Sequence, residues 1–412
     1  MIDFGDKSKC CGCSACVAAC PKDCLKMEPD AEGFLYAKAS NAAACIQCGL
    51  CEKVCPMRNA SEFPLARFAY AAIAGDEKAL ARTSSGGGFY VLAKDALESE
   101  GGGVVFGAAW DKSAWRVVQK SADSLEGLED FLGSKYVQSD PKDTLAQAQT
   151  LLNSGRRVLY SGTPCQINAL NLFLRKKYDN LTTAAVACHS VPSPAVWSVF
   201  LENCRRKNSD SDIRNIRFRK KYETKYYGKS CMGFAVETDA KESEKAQDYW
   251  STPFGRAFIG DLISRPSCAD CPAKESRCSA DFIIADFWGA NFEDPSLNPR
   301  AGLSAILPNS PKAEETLERL AGKFSLLRRF PYEAAAKHNE GIRRARRLNK
   351  DRDKFFAEFA RAPNPQAKYK VLLKWTTPPL RTRAKTALKR CIRAVLFKLG
   401  LWNAARKLAG KK

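Results

Sequence analysis

Two stretches near the amino end decide the fold of the first part of the chain: Cys10-Cys-Gly-Cys-Ser-Ala-Cys-Val-Ala-Ala-Cys-Pro21 and Cys45-Ile-Gln-Cys-Gly-Leu-Cys-Glu-Lys-Val-Cys-Pro56. Counted from Cys10 and from Cys45, each follows the pattern C-x2-C-x2-C-x3-C-P. Three closely spaced thiolates can hold three irons of one cubane, while the fourth, before the proline, reaches the partner cluster. The spacing therefore predicts two [4Fe–4S] clusters that exchange their fourth ligands.

The exchange assigns a set of four cysteines to each cluster. The first set is Cys10, Cys13, Cys16 and Cys55, and the second is Cys45, Cys48, Cys51 and Cys20. Cys11 and Cys24 fall outside the pattern and are interpreted as spectators. Structural zinc is the alternative, since C-x2-C pairs also bind zinc, but the repeated triple run favours iron–sulfur. This segment resembles the bacterial two-cluster ferredoxin domain.

Composition points to a reduced, globular, multidomain chain. Of 412 residues, 45% are hydrophobic and 18 are cysteine. Neither a signal peptide nor a transmembrane stretch is recognisable, so clustered thiols favour the cytoplasm and metal binding over disulfides. The net charge of +21 is concentrated in a tail, because residues 361–412 contain fifteen Lys or Arg and no acid.

The order of apolar runs predicts three parts: a dicluster domain at 1–60, a central domain at 65–335 and a basic helical tail at 336–412. Short strands alternate with helical patterns in the central part, which favours an α/β or α+β fold with a parallel or mixed sheet. Expected strands start at Gly103, Arg157 and Ala184. Expected helices are 89–100, 141–153, 166–177 and 194–207, and 213–238 is expected to be a β insertion.

Two segments of the central part are candidate cofactor sites. Ser84-Ser85-Gly86-Gly87-Gly88 precedes a helical stretch, where free N–H groups can bind phosphate, although a flexible turn is equally open. Gly162-Thr163-Pro-Cys165-Gln166 predicts a capped helix with Cys165 in its first turn, where the dipole favours thiolate. Cys165 could be a cluster ligand, a nucleophile, a redox thiol or a buried side chain.

Further cysteines suggest a third cluster. Cys268 and Cys271 form another C-x2-C pair, and Cys165 and Cys188, each at a strand-to-helix junction, could complete four ligands. Zinc and unligated thiols remain alternatives, and Cys278 leaves the ligand choice open. His189 is a candidate proton shuttle or a histidine that is merely hydrogen-bonded at a strand end.

These segments, in this order, resemble the family of coenzyme F420 hydrogenase and dehydrogenase beta subunits over about residues 1–335. The resemblance implies a flavin, usually FAD, near Ser84–Gly88 and the segment ending at Asp286, and a cluster bound by Cys268, Cys271, Cys165 and Cys188. It also implies electron passage between iron–sulfur clusters and a flavin that exchanges hydride with coenzyme F420 or another small molecule. Such a flavin joins one-electron and two-electron chemistry.

The tail predicts a basic amphipathic helix. Leu388, Ile392, Val395, Leu399 and Trp402 recur at helical spacing, with basic residues mostly off that face. Such a helix suits an anionic membrane surface at the inner face of the cell membrane, whereas packing on the body is the alternative. No base-reading motif accompanies the charge, so nucleic acid is not an expected partner.

The sequence therefore predicts an iron–sulfur flavoprotein oxidoreductase, with weak catalytic candidates at His189 and Asp286. Its expected partners are a redox protein or reduced ferredoxin and a small hydride donor or acceptor. The alternative is a non-catalytic electron carrier or docking subunit, serving membrane-associated polysaccharide or lipid synthesis.

Overall fold

The computed structural model describes residues 2, 5–207, 211–225, 228–239, 246–399 and 401. Trp402, placed by sequence at the end of the apolar face of the tail, lies outside the described residues. All eighteen cysteines are free thiols.

The strands and helices are numbered in chain order. The strands are β1 Leu25–Pro29, β2 Leu35–Ala39, β3 Phe68–Ala74, β4 Val104–Asp111, β5 Arg116–Ala122, β6 Ser139–Asp140, β7 Val158–Gly162, β8 Leu181–Val186, β9 Ile213–Thr224, β10 Gly228–Thr238, β11 Gln247–Asp248, β12 Phe282–Asp286, β13 Ser304–Pro308 and β14 Phe324–Pro331. The helices are α1 Ala15–Ala18, α2 Leu50–Lys53, α3 Glu77–Arg82, α4 Gly88–Leu97, α5 Leu125–Leu128, α6 Thr144–Asn153, α7 Pro164–Leu174, α8 Pro194–Lys207, α9 Pro253–Ile259, α10 Ala290–Glu293, α11 Pro311–Arg319, α12 Tyr332–Ala336, α13 Glu340–Arg343, α14 Arg352–Arg361, α15 Pro365–Thr376 and α16 Leu380–Lys398.

A nine-stranded sheet forms the centre, in the order β14-β3-β13-β12-β8-β7-β4-β5-β6. Strands β12, β8, β7 and β4 run parallel, whereas β13, β3 and β14 extend the sheet in antiparallel pairs. The predicted mixed-sheet α/β architecture is thus confirmed. Because the carboxyl ends of parallel strands lie at one edge, residues that follow β7, β8 and β12 meet there.

Element types agree with the sequence pattern more closely than element ends. The expected helix at 194–207 is α8, and the expected β insertion is the β9–β10 hairpin. The expected strand ending at Cys188 instead ends at Val186. The chain leaves the sheet there, after the Ala187 N–H bonds the carbonyl oxygen of Ile284 at 2.8 Å.

Aromatic side chains form a second core beside the sheet. Trp110, Trp197 and Phe218 stack within about 6 Å of one another. Phe355 of α14 and Leu372 of α15 are buried in the same core. The first part of the basic segment 336–412 therefore packs on the body.

Candidate iron–sulfur and cofactor site

The four thiols of the first set surround one cavity. It is lined by Cys10, Cys13, Cys16 and Cys55, together with Cys11, Gly12, Ser14, Met27 and Ala37. The chain bends around it because Gly12 and Ser14 adopt left-handed backbone conformations, with φ of +73° and 57°. Burial raises the pKa of Cys16 to about 12, and the neighbouring thiols of Cys10 and Cys55 add to the shift. Metal binding would displace these protons, so the residues present fit a cluster.

The four cysteines of the second set are less buried than those of the first set. Cys20 and Cys45 both adjoin Cys24, whose pKa is raised by burial and by contact with the Cys20 thiol. Cys51 is buried, lies near Cys16 and accepts a hydrogen bond from an N–H at 3.3 Å. Cys48 is exposed. Cys24, interpreted from the sequence as a spectator, thus lies among the thiols of this set.

A third group of thiols assembles at the carboxyl edge of the sheet. Cys165 begins α7 after β7, Cys188 follows β8, and a short 3-10 helix at Pro266–Asp270 carries Cys268 and leads into Cys271. Each of the four interacts electrostatically with the other three. Burial raises the pKa of Cys188 to about 12, and the nearby thiols add to this.

Cys278 lies next to this tetrad. It interacts with Cys271 and Cys165, and it is buried in the main hydrophobic core. The choice of four ligands for a third cluster therefore stays a prediction. Cys278 borders the four thiols as a buried neighbour.

Cys11 connects the first set with the third group. The thiols of Cys13 and Cys165 lie close enough to shift its pKa, which is raised well above its usual range. The neighbouring Cys11 thiol and burial raise the pKa of Cys165 well above its usual range. The expected effect of the helix dipole, a stabilised thiolate at Cys165, is therefore outweighed by burial and by the Cys11 thiol. Thr163 Oγ1 lies 3.3 Å from the Cys165 sulfur, and Gln166 accepts a hydrogen bond from the Thr163 N–H at 2.9 Å, as expected for the helix cap.

Asp286, at the end of β12, is neutralised by a buried arginine. Two nitrogens of Arg219 donate to its carboxylate at 2.8 and 3.0 Å, and the Arg219 side chain is 3% exposed. Arg219 also donates to Tyr136 Oη at 3.2 Å and lies 5.7 Å from the Trp288 ring. This pairing positions Asp286 as an anchor for Arg219, while its candidacy as a catalytic group stays a prediction.

A second cation, Lys221, lies beside the same pair, and Lys135 follows Ser134, which bonds to the adjoining loop; we call this group of Lys135, Arg219 and Lys221 with Ser84, Ser85 and Asp286 the cationic cleft. Lys221 Nζ donates to the Ser85 carbonyl oxygen at 2.8 Å. Ser84 Oγ accepts the N–H of Ser134, next to Lys135, at 2.7 Å. Burial lowers the pKa of Lys135 to about 7 and that of Lys221 to about 8.

The cationic cleft suits an anionic cofactor. Arg219 and Lys221 both lie near the Asp286 carboxylate, whereas the buried Lys135 has Asp130 as its nearest acidic neighbour. The buried Ser85 hydroxyl has no hydrogen-bond partner among the described residues. Desolvated cations and an unpaired hydroxyl are what a diphosphate would satisfy. The residues present therefore fit the dinucleotide part of a flavin.

The glycines of Ser84–Gly88 are explained mainly by packing. A Cβ on Gly86 would lie 2.0 Å from the carbonyl oxygen of Ala72 and 2.5 Å from the nitrogen of Ser304. Gly87 has φ +81° at the start of α4, and the Gly88 N–H donates to Ser304 Oγ at 3.3 Å. Ser304 pairs with Asp286 across the sheet, so packing brings this loop to the cleft. Gly162 lies two strands away, beside Gln119 and Gln166.

Hydrogen bonds join the third thiol group to the cleft. The buried Lys274 donates to the carbonyl oxygens of Cys188 and Gly341. Close by along the chain, Asn339 donates to the Asp286 carbonyl oxygen at 2.9 Å. His189 is held separately, with Nε2 2.9 Å from a carboxylate oxygen of Asp261.

Sequence reasoning missed the cations at these sites. Arg219 and Lys221 lie two residues apart in Arg217-Phe-Arg-Lys-Lys221, so a strand places both on one face. That alternation was a usable signal. Lys135 and Lys274 gave no comparable one, because a single lysine in a loop is normally solvated.

Two family models match parts of the chain that contain most of these site residues. Residues 155–326 match the family model that describes the carboxyl-terminal part of the beta subunit of coenzyme F420 hydrogenase/dehydrogenase, and residues 9–60 match that of the 4Fe-4S dicluster domain. The predicted iron–sulfur character of the amino end is thereby confirmed. A chain in a solved structure, the xenon-derivatised F420-reducing [NiFe] hydrogenase complex from Methanosarcina barkeri, is 15% identical, with a TM-score of 0.47 over 68% of this chain and 91% of that one. No curated protein matches the chain.

Proposed function

We propose that the chain is an iron–sulfur flavoprotein oxidoreductase, on the premise that it belongs to the coenzyme F420 hydrogenase/dehydrogenase beta-subunit family through residues 155–326 and carries a 4Fe-4S dicluster domain at residues 9–60. The finer parts of the proposal are a third [4Fe–4S] cluster, FAD and hydride exchange with a small molecule. FAD supplies the exchange between one-electron and two-electron chemistry when bound.

One observation carries the proposal: the third thiol group adjoins both the first cysteine set and the cationic cleft. Cys165 lies near Cys11, the residue after Cys10 of the first set, and the two thiols shift each other's pKa. Lys274 donates hydrogen bonds to the carbonyl oxygens of Cys188 and Gly341, and Asn339, two residues before Gly341, donates one to the carbonyl oxygen of Asp286. Redox groups bound by the first cysteine set, by the third thiol group and in the cationic cleft would therefore be neighbours in space, one after another. An electron-transfer enzyme needs this proximity, whereas a plain electron carrier does not.

The cleft residues have distinct roles in this proposal. Lys135 and Lys221 would bind the diphosphate, and the unpaired Ser85 hydroxyl would donate to it. Arg219, paired with Asp286, would shape the floor of the cleft. Coenzyme F420 is the first substrate to test, because the matching family is named for it.

Anaerobic purification with iron, sulfide and flavin counts tests the proposal. The wild-type chain should contain near-stoichiometric flavin, and Lys221→Met should lose flavin while keeping its iron. Lys220→Met is the matched control, because Lys220 is the next residue on β9 and pairs with Glu237 at 3.3 Å. A wild-type chain with clusters but no flavin would instead support the electron carrier or docking subunit.

Turnover then identifies the substrate class. Flavin-loaded protein is reduced with dithionite and offered coenzyme F420 or a nicotinamide, and the absorbance of each acceptor is followed. The matching family includes hydrogenase subunits, so we further propose that a redox partner protein supplies or removes the electrons in a complex.

Helix α16 supports a second proposal, attachment to an anionic membrane surface. No helix among the described residues is long and apolar enough to cross a membrane. On α16 and just after it, Leu388, Ile392, Val395 and Leu399 are 50–64% exposed at helical spacing. Lys385 and Lys389 are exposed on the same helix. An apolar stripe beside basic residues suits anionic headgroups.

Vesicle flotation tests this attachment. The full chain should float with phosphatidylglycerol vesicles but not with phosphatidylcholine vesicles, and the double change Ile392→Gln with Val395→Gln should abolish flotation. Thr386→Gln, on the opposite side of α16, is the control. Equal flotation of the double variant and the wild type would contradict membrane attachment.

A further inference from the structure

A fully buried arginine lies where the dicluster part meets the third thiol group. Arg265 is 0% exposed and sits three residues before Cys268. Its Nε donates to the carbonyl oxygen of Cys10 at 2.8 Å, and its Nη2 donates to that of Leu35 at 2.9 Å. The guanidinium carbon lies 4.1 Å from the centre of the Tyr36 ring. Arg265 thus bonds directly to a backbone group of a cysteine in the first set.

The charge of Arg265 is not balanced by a carboxylate. Among the described residues, no Asp or Glu oxygen lies within ion-pair distance of its guanidinium. Its Nη1 is buried without a hydrogen-bond partner. A buried cation is costly unless an opposite charge compensates it.

A second arginine is buried at the same interface, and its charge is balanced by a carboxylate. Arg352 is 5% exposed and donates to the carbonyl oxygen of Ser264, the residue before Arg265, at 2.8 Å. It also forms an ion pair with Glu32, in the dicluster part. Arg352 and Arg265 therefore dock the same two parts of the chain, but only Arg352 has a carboxylate partner.

The surroundings of Arg265 are shaped to bring it close to the first set. A Cβ on Gly12 would lie 3.0 Å from Nη1 of Arg265 and 2.5 Å from Nε2 of Gln138. Gly12 lies between Cys11 and Cys13 and has φ +73°. Only a glycine leaves room for the guanidinium beside this backbone loop.

We propose that Arg265 is the counter-cation of the cluster bound by the first cysteine set, and that it makes this cluster easier to reduce. Thiolate-ligated clusters carry net negative charge, and one-electron reduction adds one more unit. A buried cation stabilises the reduced form more than the oxidised form. Arg265 is a positioning residue in this role, because it touches the cluster ligand backbone and no reacting substrate. The proposal does not depend on the flavin or on the third cluster.

Potentiometric titration of the anaerobic full-length holoprotein, followed by electron paramagnetic resonance, tests the proposal. Dithionite supplies the electron, and iron and sulfide counts accompany each sample. Arg265→Gln, which removes the charge but keeps hydrogen-bond donors, should lower the equilibrium constant for reduction of one cluster at least tenfold, or about 59 mV. The cluster of the second set serves as the internal reference in the same spectrum. Loss of flavin or of the third cluster would leave this measurement intact.

Two further variants separate charge from docking. Arg265→Lys retains the charge and should keep the equilibrium constant within about threefold of wild type, a shift of roughly 28 mV at 59 mV per tenfold. Arg352→Gln should weaken the docking and lower the thermal midpoint without moving either potential. The proposal is overturned if Arg265→Gln leaves both potentials unchanged, or if Arg265→Lys shifts as far as Arg265→Gln. If Arg265→Gln does not fold, Arg265→Lys is measured alone. A change of less than about threefold in the equilibrium constant for reduction supports the proposal, and a change of about tenfold or more overturns it.

Discussion

Replacing Asp286 by asparagine should destabilise the central part of the chain, because it removes the carboxylate that neutralises Arg219. The Arg219 side chain is 3% exposed and that of Asp286 is 16% exposed, so solvent screens the pair weakly. Breaking a buried ion pair from one side costs about 3–5 kcal/mol, mostly because the remaining charge stays buried. The asparagine oxygen can still accept one hydrogen bond. We therefore expect the lower end of that range, about 3 kcal/mol.

Urea unfolding followed by tryptophan fluorescence measures this loss. Trp110 and Trp197 report on the core that contains Phe218, the residue before Arg219, with the Trp110 and Phe218 rings 6.1 Å apart. A chain of this size need not unfold in one step, so the free energy is taken from the transition that these tryptophans report.

The control and the refuting result come from an exposed ion pair. Asp111 accepts a hydrogen bond from Arg116, whose side chain is 55% exposed, at 2.9 Å. Asp111→Asn should cost no more than about 1 kcal/mol. If Asp286→Asn costs no more than Asp111→Asn, the Arg219 charge is not shielded from solvent by its surroundings. The contribution of the pair to the cleft would then have to be abandoned.

Three further predictions concern the thiols, the lysines and the glycine loop. Cys188→Ser should lower bound iron from about twelve to about eight per chain, whereas Cys278→Ser should leave it unchanged; equal iron in both variants would contradict the tetrad. The pKa of Lys135 is about 7 and that of Lys221 about 8, so an anion that charges them must take up protons, and FAD affinity measured by fluorescence should fall as pH rises from 7 to 9. Because these pKa values are lower in the folded than in the unfolded chain, the unfolded chain binds more protons above pH 7. The flavin-free protein should therefore become more stable as the pH rises from 7 to 9. If neither the FAD affinity nor the stability changes with pH, the two lysines are not buried. Gly86→Ala should cost about 1–3 kcal/mol by thermal unfolding, because its Cβ would meet the Ala72 carbonyl oxygen at 2.0 Å, while Gly322→Ala, with nothing within 4 Å, should be nearly neutral.

Features that depend on residues close together in the chain could be predicted from the sequence alone. The cysteine runs predicted a dicluster domain because ligands a few residues apart need little chain to reach one cluster. Pro164 and Gln166 predicted the start of α7, because helix capping depends on residues within one turn. The parallel core of the sheet followed from alternating strand and helix patterns. The end of β8 was misjudged, since apolar character continues past the last sheet pairing at Val186.

Contacts between distant segments were only partly accessible. Grouping Cys165 and Cys188 with Cys268 and Cys271 relied on their places at strand ends, and strand order then determined that these ends are neighbours. Cys11 could not be placed, because its partner Cys165 lies on another part of the chain. Arg219 and Lys221 lie beside Asp286 and Ser85 only because the β9–β10 hairpin folds over that edge of the sheet.

The sequence by itself determined the dicluster domain and the α/β pattern, and it predicts the individual ligands and the basic amphipathic tail, because spacing and periodicity within short segments encode them. Tertiary structure alone decided that Asp286 is neutralised by Arg219 and that Arg265 is buried against Cys10 with no carboxylate partner in the described part of the chain. Charge balance in a folded protein depends on which side chains are brought within a few ångströms and shielded from water. That information is a property of the packed chain, and no local pattern of residues contains it.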